Sequence, residues 1–326
     1  MTIDTQILRA FRECGEGSVS GAELAEELGV SRAAIWARIE ELRSLGYEID
    51  ATPHQGYRLV SIPDVLHADD LLARMPLNQI IGRDIRVFEQ TGSTNDIAEK
   101  LARDGAVEGV VVFAESQTRG RGRMGRQWLS PSRKGLWLSV LLRPRMRPEA
   151  ATQITIAAAT ALARAIQRVC HLDPEIKWPN DLLLKGRKVA GILTEMSAEL
   201  DRIKSLIVGV GVDVNVERQD LPAEIEKTAT SLRIESGAAV NRADLATAYL
   251  SELDREYHRI CAGEFAQIAD EWESKCVTIG CNVSISIGNR QIVGRAESLD
   301  ADGALMIRSP HGHLERIIGG DVLLEK

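Results

Sequence analysis

The stretch Thr118–Arg126, TRGRGRMGR, constrains the fold most. Four arginines (Arg119, Arg121, Arg123, Arg126) are interleaved with three glycines (Gly120, Gly122, Gly125). From Ser116 to Pro148 the chain carries nine basic residues and no acidic one, although its net charge is −7. Such a run offers no apolar face to bury, so it predicts a loop between the strand-like GVVVFA at 109–114 and the strand-like LWLSVLL at 136–142. A cationic loop built against the overall charge implies an anionic ligand. Glycine lets backbone approach a ligand closely, and arginine offers a fixed fork of donors to carboxylate or phosphate. A solvated basic turn is the plain alternative for any charge run.

Gly120, Gly122 and Gly125 satisfy G-x-G-x-x-G. The dinucleotide fold also needs a helix after the glycines and an acid about 20 residues on. Here QWLSPSRKG follows and arginines occupy 143–147, which argues against a nicotinamide or flavin site. No G-K-[ST] closes a glycine-rich loop, so there is no P-loop. Five scattered cysteines without C-x-x-C read as reduced thiols. The six histidines form no metal set, and His311 and His313 read as a hairpin tip around Gly312. No metal site is expected. No apolar run reaches membrane-spanning length and no signal-peptide core opens the chain, so the expectation is a cytoplasmic protein with no membrane partner.

At 326 residues two or three domains are expected. Residues 1–62 read as three helices and a hairpin. Ser20 caps GAELAEELG, and Ser31 caps RAAIWARIEELRSLG, whose Ile35, Ile39 and Leu42 make a buried stripe. Only Gly-Val-Ser separates these helices, and strands at 47–49 and 57–60, turning near Pro53–Gly56, add a wing. This is the helix-turn-helix order. Small Ala33, Ala34 and Ala37 would let the second helix enter a groove, with Ser31, Arg32, Ala33, Trp36, Arg38 and Arg58 at the DNA. Against this, the segment holds six arginines, no lysine and ten acids. A DNA binder normally shows a basic footprint, so Arg32, Arg38, Arg43 and Arg58 would have to share one face. A small docking or dimerisation module is the alternative. Residues 63–272 alternate strands and helices, as an α/β domain on a mixed sheet. Residues 273–326 shorten into strands with close glycine turns, as a small β-barrel. The fold class expected is therefore α+β and multidomain.

Four further motifs carry polar residues. TGSTND at 91–96 can cap a helix, yet it also presents donors and acceptors suited to a neutral ring bearing N–H and C=O. KWPND at 177–181 turns the chain at a strand end, where sites concentrate. KGRKVAGILTE at 185–195 starts a strand at Lys188 and holds Gly191. VGVGVDVN at 208–215 alternates glycine with β-branched residues, as a strand over which a flat ligand could lie. Each taken alone is more often structural.

Together and in this order, TGSTN, ESQTRGRGRMGR with Trp128, KWPNDL, RKVAGIL and VGVGVDVN resemble the biotin–protein ligases. With the N-terminal helices the whole chain is similar to the bifunctional members that also repress a biotin operon. The resemblance implies a winged helix-turn-helix, a catalytic α/β domain and an SH3-like C-terminal barrel. It implies that Ser93, Thr94, Asn95 and Gln117 contact the biotin ring. Arg121, Gly122, Arg123, Lys188 and Gly191 would line the biotin carboxylate, with Arg121, Arg123, Trp128, Asn180, Lys188 and Asp213 toward the nucleotide. Arg123, Lys188 and Asp181 would carry the catalysis, Asp181 handling the acceptor lysine. The substrates implied are biotin, ATP with Mg²⁺, and a biotin carboxyl carrier protein. Operator DNA and a homodimer formed on adenylate binding complete the partners. Two positions depart from the pattern: Asp213 stands where relatives often have Asn, and Met124 where they often carry a base. An ionised Asp cannot donate, which puts adenine recognition in question. The competing readings are a lipoate ligase, a biotin-sensing repressor without catalysis, and a ligase whose N-terminal module does not bind DNA.

Overall fold

The computed structural model describes residues 1–52 and 55–324. The chain divides into two compact units, 1–78 and 79–326. Each is described by itself.

In the first unit, α1 (Ile3–Cys14), α2 (Gly21–Glu27) and α3 (Arg32–Ser44) precede a hairpin of β1 (Glu48–Thr52) and β2 (Gly56–Ser61), and α4 (Ala68–Arg74) ends it. The caps fall where the sequence places them. Ser20 Oγ accepts from Ala22 N and Glu23 N, and Ser31 Oγ accepts from Ala34 N at 3.1 Å. Each satisfies N–H groups that a helix start otherwise leaves without partners, worth about 1 kcal/mol. Ile35, Ile39 and Leu42 are fully buried with Ile7, Leu8, Phe11 and Leu24, each side chain contributing about 1.5–3 kcal/mol. The wing pairs antiparallel as expected; Pro53 and His54 of its predicted turn lie outside the described residues. The unit runs past the expected break at 62, because α4 is tied to α1. Arg9 donates to the carbonyls of Leu72 and Met75 at 3.0 and 2.9 Å, and Arg12 pairs with buried Asp70 at 2.5 Å.

The second unit opens with β3 (Asp84–Thr91), α5 (Thr94–Arg103), β4 (Val110–Gln117) and β5 (Gly135–Leu142). Then come α6 (Thr152–Cys170), β6 (Glu175–Lys177), β7 (Asp181–Leu184), β8 (Arg187–Ala198) and β9 (Ile203–Asp213). The helices α7 (Leu232–Ser236), α8 (Arg242–Cys261) and α9 (Phe265–Lys275) follow. One seven-stranded sheet runs β3-β4-β5-β9-β8-β7-β6, with β3 and β4 parallel and every other pair antiparallel. This is the mixed sheet anticipated. All eight residues of β5 are buried, as a strand covered on both faces must be. Ala98 and Ala102 of α5 pack on Val110, Val112, Leu141 and Ile207. Beneath the start of β5, Arg242 at the head of α8 forms a fully buried pair with Glu115 at 2.5 Å and donates to the Gly135 carbonyl at 3.3 Å.

The last strands, β10 (Asn282–Ile287), β11 (Arg290–Leu299), β12 (Leu305–Arg308), β13 (Leu314–Ile317) and β14 (Asp321–Leu324), form an antiparallel sheet ordered β13-β12-β11-β10-β14. An antiparallel C-terminal sheet, the coarser part of the expected SH3-like barrel, is thus present. Among the described residues no ladder joins β13 to β14, so the sheet is open.

Candidate active site

The strands β4, β5, β7, β8 and β9, the arginine–glycine loop and β14 enclose one cavity of about 1090 Å³. Ser93, Thr94, Asn95, Gln117, Arg121, Gly122, Arg123, Trp128, Asn180, Asp181, Lys188, Gly191 and Asp213 all line it. Residues up to 120 positions apart are thus brought together from strands, loops and the first turn of α5.

One end is lined by uncharged polar side chains, with the Glu195 carboxylate behind Asn95. Ser93, Thr94 and Asn95 are buried where α5 begins. Gln117, the last residue of β4, accepts from Thr94 N at 2.8 Å and donates to Ser130 Oγ at 2.9 Å. Ser139 of β5 lies 2.7 Å from Thr94 Oγ1 and donates to Asn95 Oδ1 at 2.5 Å. A Cβ on Gly209 would fall 2.2 Å from that same oxygen, so only glycine fits at this point of β9.

The middle is flat. The Trp128 indole lies over Gly191 and Gly211, which face each other across β8 and β9. A Cβ on Gly211 would come within 2.6 Å of the ring. The Lys188 ammonium stands 5.1 Å from the Trp128 ring centre, within cation–π range.

The charges are distributed unevenly. Arg121, expected to line the biotin carboxylate, is paired with both Asp96 and Glu195. Arg126 is paired with Asp321 at the start of β14. Arg123 alone of these three has no carboxylate within salt-bridge range among the described residues. Its Nη1 donates to Asn180 Oδ1 at 3.3 Å, and Asn180 is anchored through Nδ2 to the Ile192 carbonyl at 2.7 Å. Burial presses the Arg123 guanidinium below its usual value, while Asp181 and Asp321 pull it back. A half-buried cation without an ion-pair partner favours an arriving anion. Lys188 pairs with Asp181 at 2.7 Å. At the end of β9, burial pushes the half-buried Asp213 carboxyl up to about 8, with Lys188 pulling the other way. Asp213 is therefore mostly a neutral acid at pH 7, able to donate. Sequence reasoning missed Ser130, Ser139, Glu195 and the whole of β14. Ser139 had a signal, as the one polar residue in an apolar strand.

In the N-terminal unit the predicted DNA face is only partly assembled. Arg32, Ala33 and Trp36 are exposed on α3, Trp36 at 57%. Arg38 is turned away: it grips Asp4 of α1 and pairs with Glu41 at 2.7 Å. Arg43 donates to the Ile49 carbonyl and pairs with Glu40 at 2.5 Å, while Arg58 pairs with Asp50 at 3.1 Å. Arg38, Arg43 and Arg58 are thus each paired with an acid of their own segment, while Arg32 stays exposed.

A pocket of uncharged polar side chains, a flat aromatic floor and two cations define a protein that holds an elongated small molecule with an anionic end. Residues 87–215 match the biotin/lipoate A/B protein ligase family, 278–324 the biotin protein ligase C-terminal domain, and 4–58 a helix-turn-helix domain. The chain is 36% identical over 323 residues to the bifunctional ligase/repressor BirA of Bacillus spizizenii, covering 99% of both chains. It is 31% identical to BirA of Escherichia coli, covering 94% of this chain and 92% of that one. Among solved structures, biotin protein ligase from Aquifex aeolicus in complex with biotin and ATP superposes with a TM-score of 0.64 at 28% identity, covering 75% of this chain and 99% of that one. The chain belongs to the biotin protein ligase family.

Proposed function

We propose that this chain activates biotin with ATP and transfers it to a lysine of a biotin carboxyl carrier protein. The observation that carries this reading is the convergence of the five motifs on one cavity, lined by uncharged polar side chains at one end and cationic further along. The biotin ring sits among Ser93, Thr94, Asn95 and Gln117, below Gly209. Its carboxylate reaches Arg123, Gly122 and Lys188, with Gly191 giving room. The nucleotide extends past Trp128 and Asn180 toward Asp213.

In the first step a carboxylate oxygen attacks the α-phosphorus of ATP and pyrophosphate leaves. Two anions must meet, and Arg123 and Lys188 stabilise the charge that develops. Mg²⁺ accompanying ATP would add to the neutralisation of phosphate charge that Arg123 and Lys188 supply. Lys188 must exchange Asp181 for the ligand's oxygens. That exchange frees Asp181 to orient the incoming lysine, which attacks the acyl carbon as a neutral amine and expels AMP. The neutral Asp213 answers the question its sequence raised: a protonated carboxyl donates and accepts, as the amide of Asn does.

The second activity is biotin-responsive repression. Adenylate orders the arginine–glycine loop, the loop completes a homodimer, and two winged helices meet two operator half-sites. Ser31, Arg32, Ala33 and Trp36 are exposed at and after the start of α3 and are placed to touch DNA. A ligase without DNA binding is the second reading, favoured by the pairing of Arg38, Arg43 and Arg58 within their own module. The five free thiols suit the cytoplasm, and no described helix is long and apolar enough to cross a membrane.

Biotin-dependent pyrophosphate release, followed by labelling of a carrier domain, tests the enzyme; no release with biotin saturating would overturn it. A gel shift with and without biotin and ATP tests the repressor. Equal operator affinity in both states would overturn the adenylate-driven dimer.

A further inference from the structure

Glu195 lies on β8 and has been given no role so far. Its Oε2 accepts from Asn95 Nδ2 at 2.6 Å, and both of its oxygens accept from Arg121 Nη2, at 3.1 and 3.0 Å. Asp96 takes the other nitrogen of the same guanidinium. One cation therefore faces two carboxylates, and this corner is net negative before any ligand arrives. A ligand carboxylate placed at Arg121 would have to approach both.

The Asn95 amide is fixed at both ends. Its Oδ1 accepts from Ser139, and its Nδ2 donates to Glu195. The absent side chain at Gly209 leaves just enough space for that oxygen. An amide held in this way presents one orientation, and the orientation decides which ring groups it can meet. The same carboxylate holds the arginine–glycine loop across the ring end through Arg121.

We infer that Glu195 is a positioning residue: it sets the orientation of the Asn95 amide and, with Asp96, makes Arg121 a clasp over the ring end of the cavity. The ligand's anion is thereby directed to Arg123 and Lys188, away from the corner where two acids already share one cation. This rests on the proposed biotin site.

The test uses the full chain with Glu195→Leu, Glu195→Gln and Asp96→Asn, measuring biotin binding by calorimetry and the separate KM values for biotin and ATP. Glu195→Leu weakens biotin by about 10- to 100-fold, the loss expected when a charge-assisted partner is removed. KM for ATP changes by less than about threefold, a split that a general loss of fold would not produce. Glu195→Gln retains an acceptor for Asn95 and recovers most of the biotin affinity, while Asp96→Asn loosens only the clasp and weakens biotin less than Glu195→Leu. Should Glu195→Leu not fold, Asp96→Asn carries the test: a several-fold rise in KM for biotin with KM for ATP unchanged supports the clasp, and an unchanged KM for biotin overturns it. Unchanged or tighter biotin binding in Glu195→Leu, with the unsubstituted chain binding normally, overturns the inference alone. An unsubstituted chain that takes up no biotin overturns the proposed function with it.

Discussion

Asp213→Asn tests how far the cavity's electrostatics can be trusted, because the substitution keeps the shape and removes the titration. The folded chain holds the Asp213 proton up to about pH 8, whereas an unfolded aspartate releases it near 3.8. Between these values the folded state binds more protons than the unfolded one, so stability falls as pH rises through this window. At about 1.4 kcal/mol per pH unit the full shift corresponds to a ceiling of about 6 kcal/mol. Cavity water reaching this half-buried residue screens the effect, and about 2–3 kcal/mol is the figure to expect. Lys188 works in the opposite sense by favouring the carboxylate. Urea unfolding of the ligand-free proteins from about pH 5 to pH 9 should show the Asn variant gaining on the wild type by about 2–3 kcal/mol. ATP affinity of the wild type should fall above about pH 8, where the donor is lost, and that of the variant should stay level. Parallel stability profiles would refute the neutral-acid reading.

Gly211→Val should displace Trp128 and lower adenylate synthesis by about tenfold or more, read as biotin-dependent pyrophosphate release. Arg242→Met leaves Glu115 without its main buried partner and should cost about 3–5 kcal/mol in denaturant unfolding. Arg123→Gly removes the cavity's uncompensated cation, so free adenylate should leak and label lysines without selection, as followed by mass spectrometry. Ile39→Ala should cost the N-terminal unit about 2–5 kcal/mol in thermal unfolding while leaving pyrophosphate release unaltered.

Much of this molecule could be read from local pattern. Caps at Ser20 and Ser31 and the stripe of Ile35, Ile39 and Leu42 follow from periodicity and capping chemistry. The motif residues were legible as candidates because each sits at a strand end or beside a glycine. What escaped was set by partners distant in sequence. Nothing local announces that Asp4, thirty-four residues earlier, holds Arg38. Nor does anything local announce that Asp96 and Glu195 close on Arg121. The strand β7 is only four residues long and hides in KWPNDLLLK, and α4 counts with the domain expected to begin at residue 63. The expected barrel rests on turn spacing, which sets strand length but not whether the edges meet.

The ties between α1 and α4 bear on how the N-terminal portion can be excised for study. A fragment cut at residue 62 would strip Arg9 of its two carbonyl acceptors and Arg12 of the Asp70 carboxylate, baring one flank of the first helix. Ending the fragment at 78 retains all of these, and a preparation that is soluble at the longer length yet aggregates at the shorter would owe the difference to seven residues of helix.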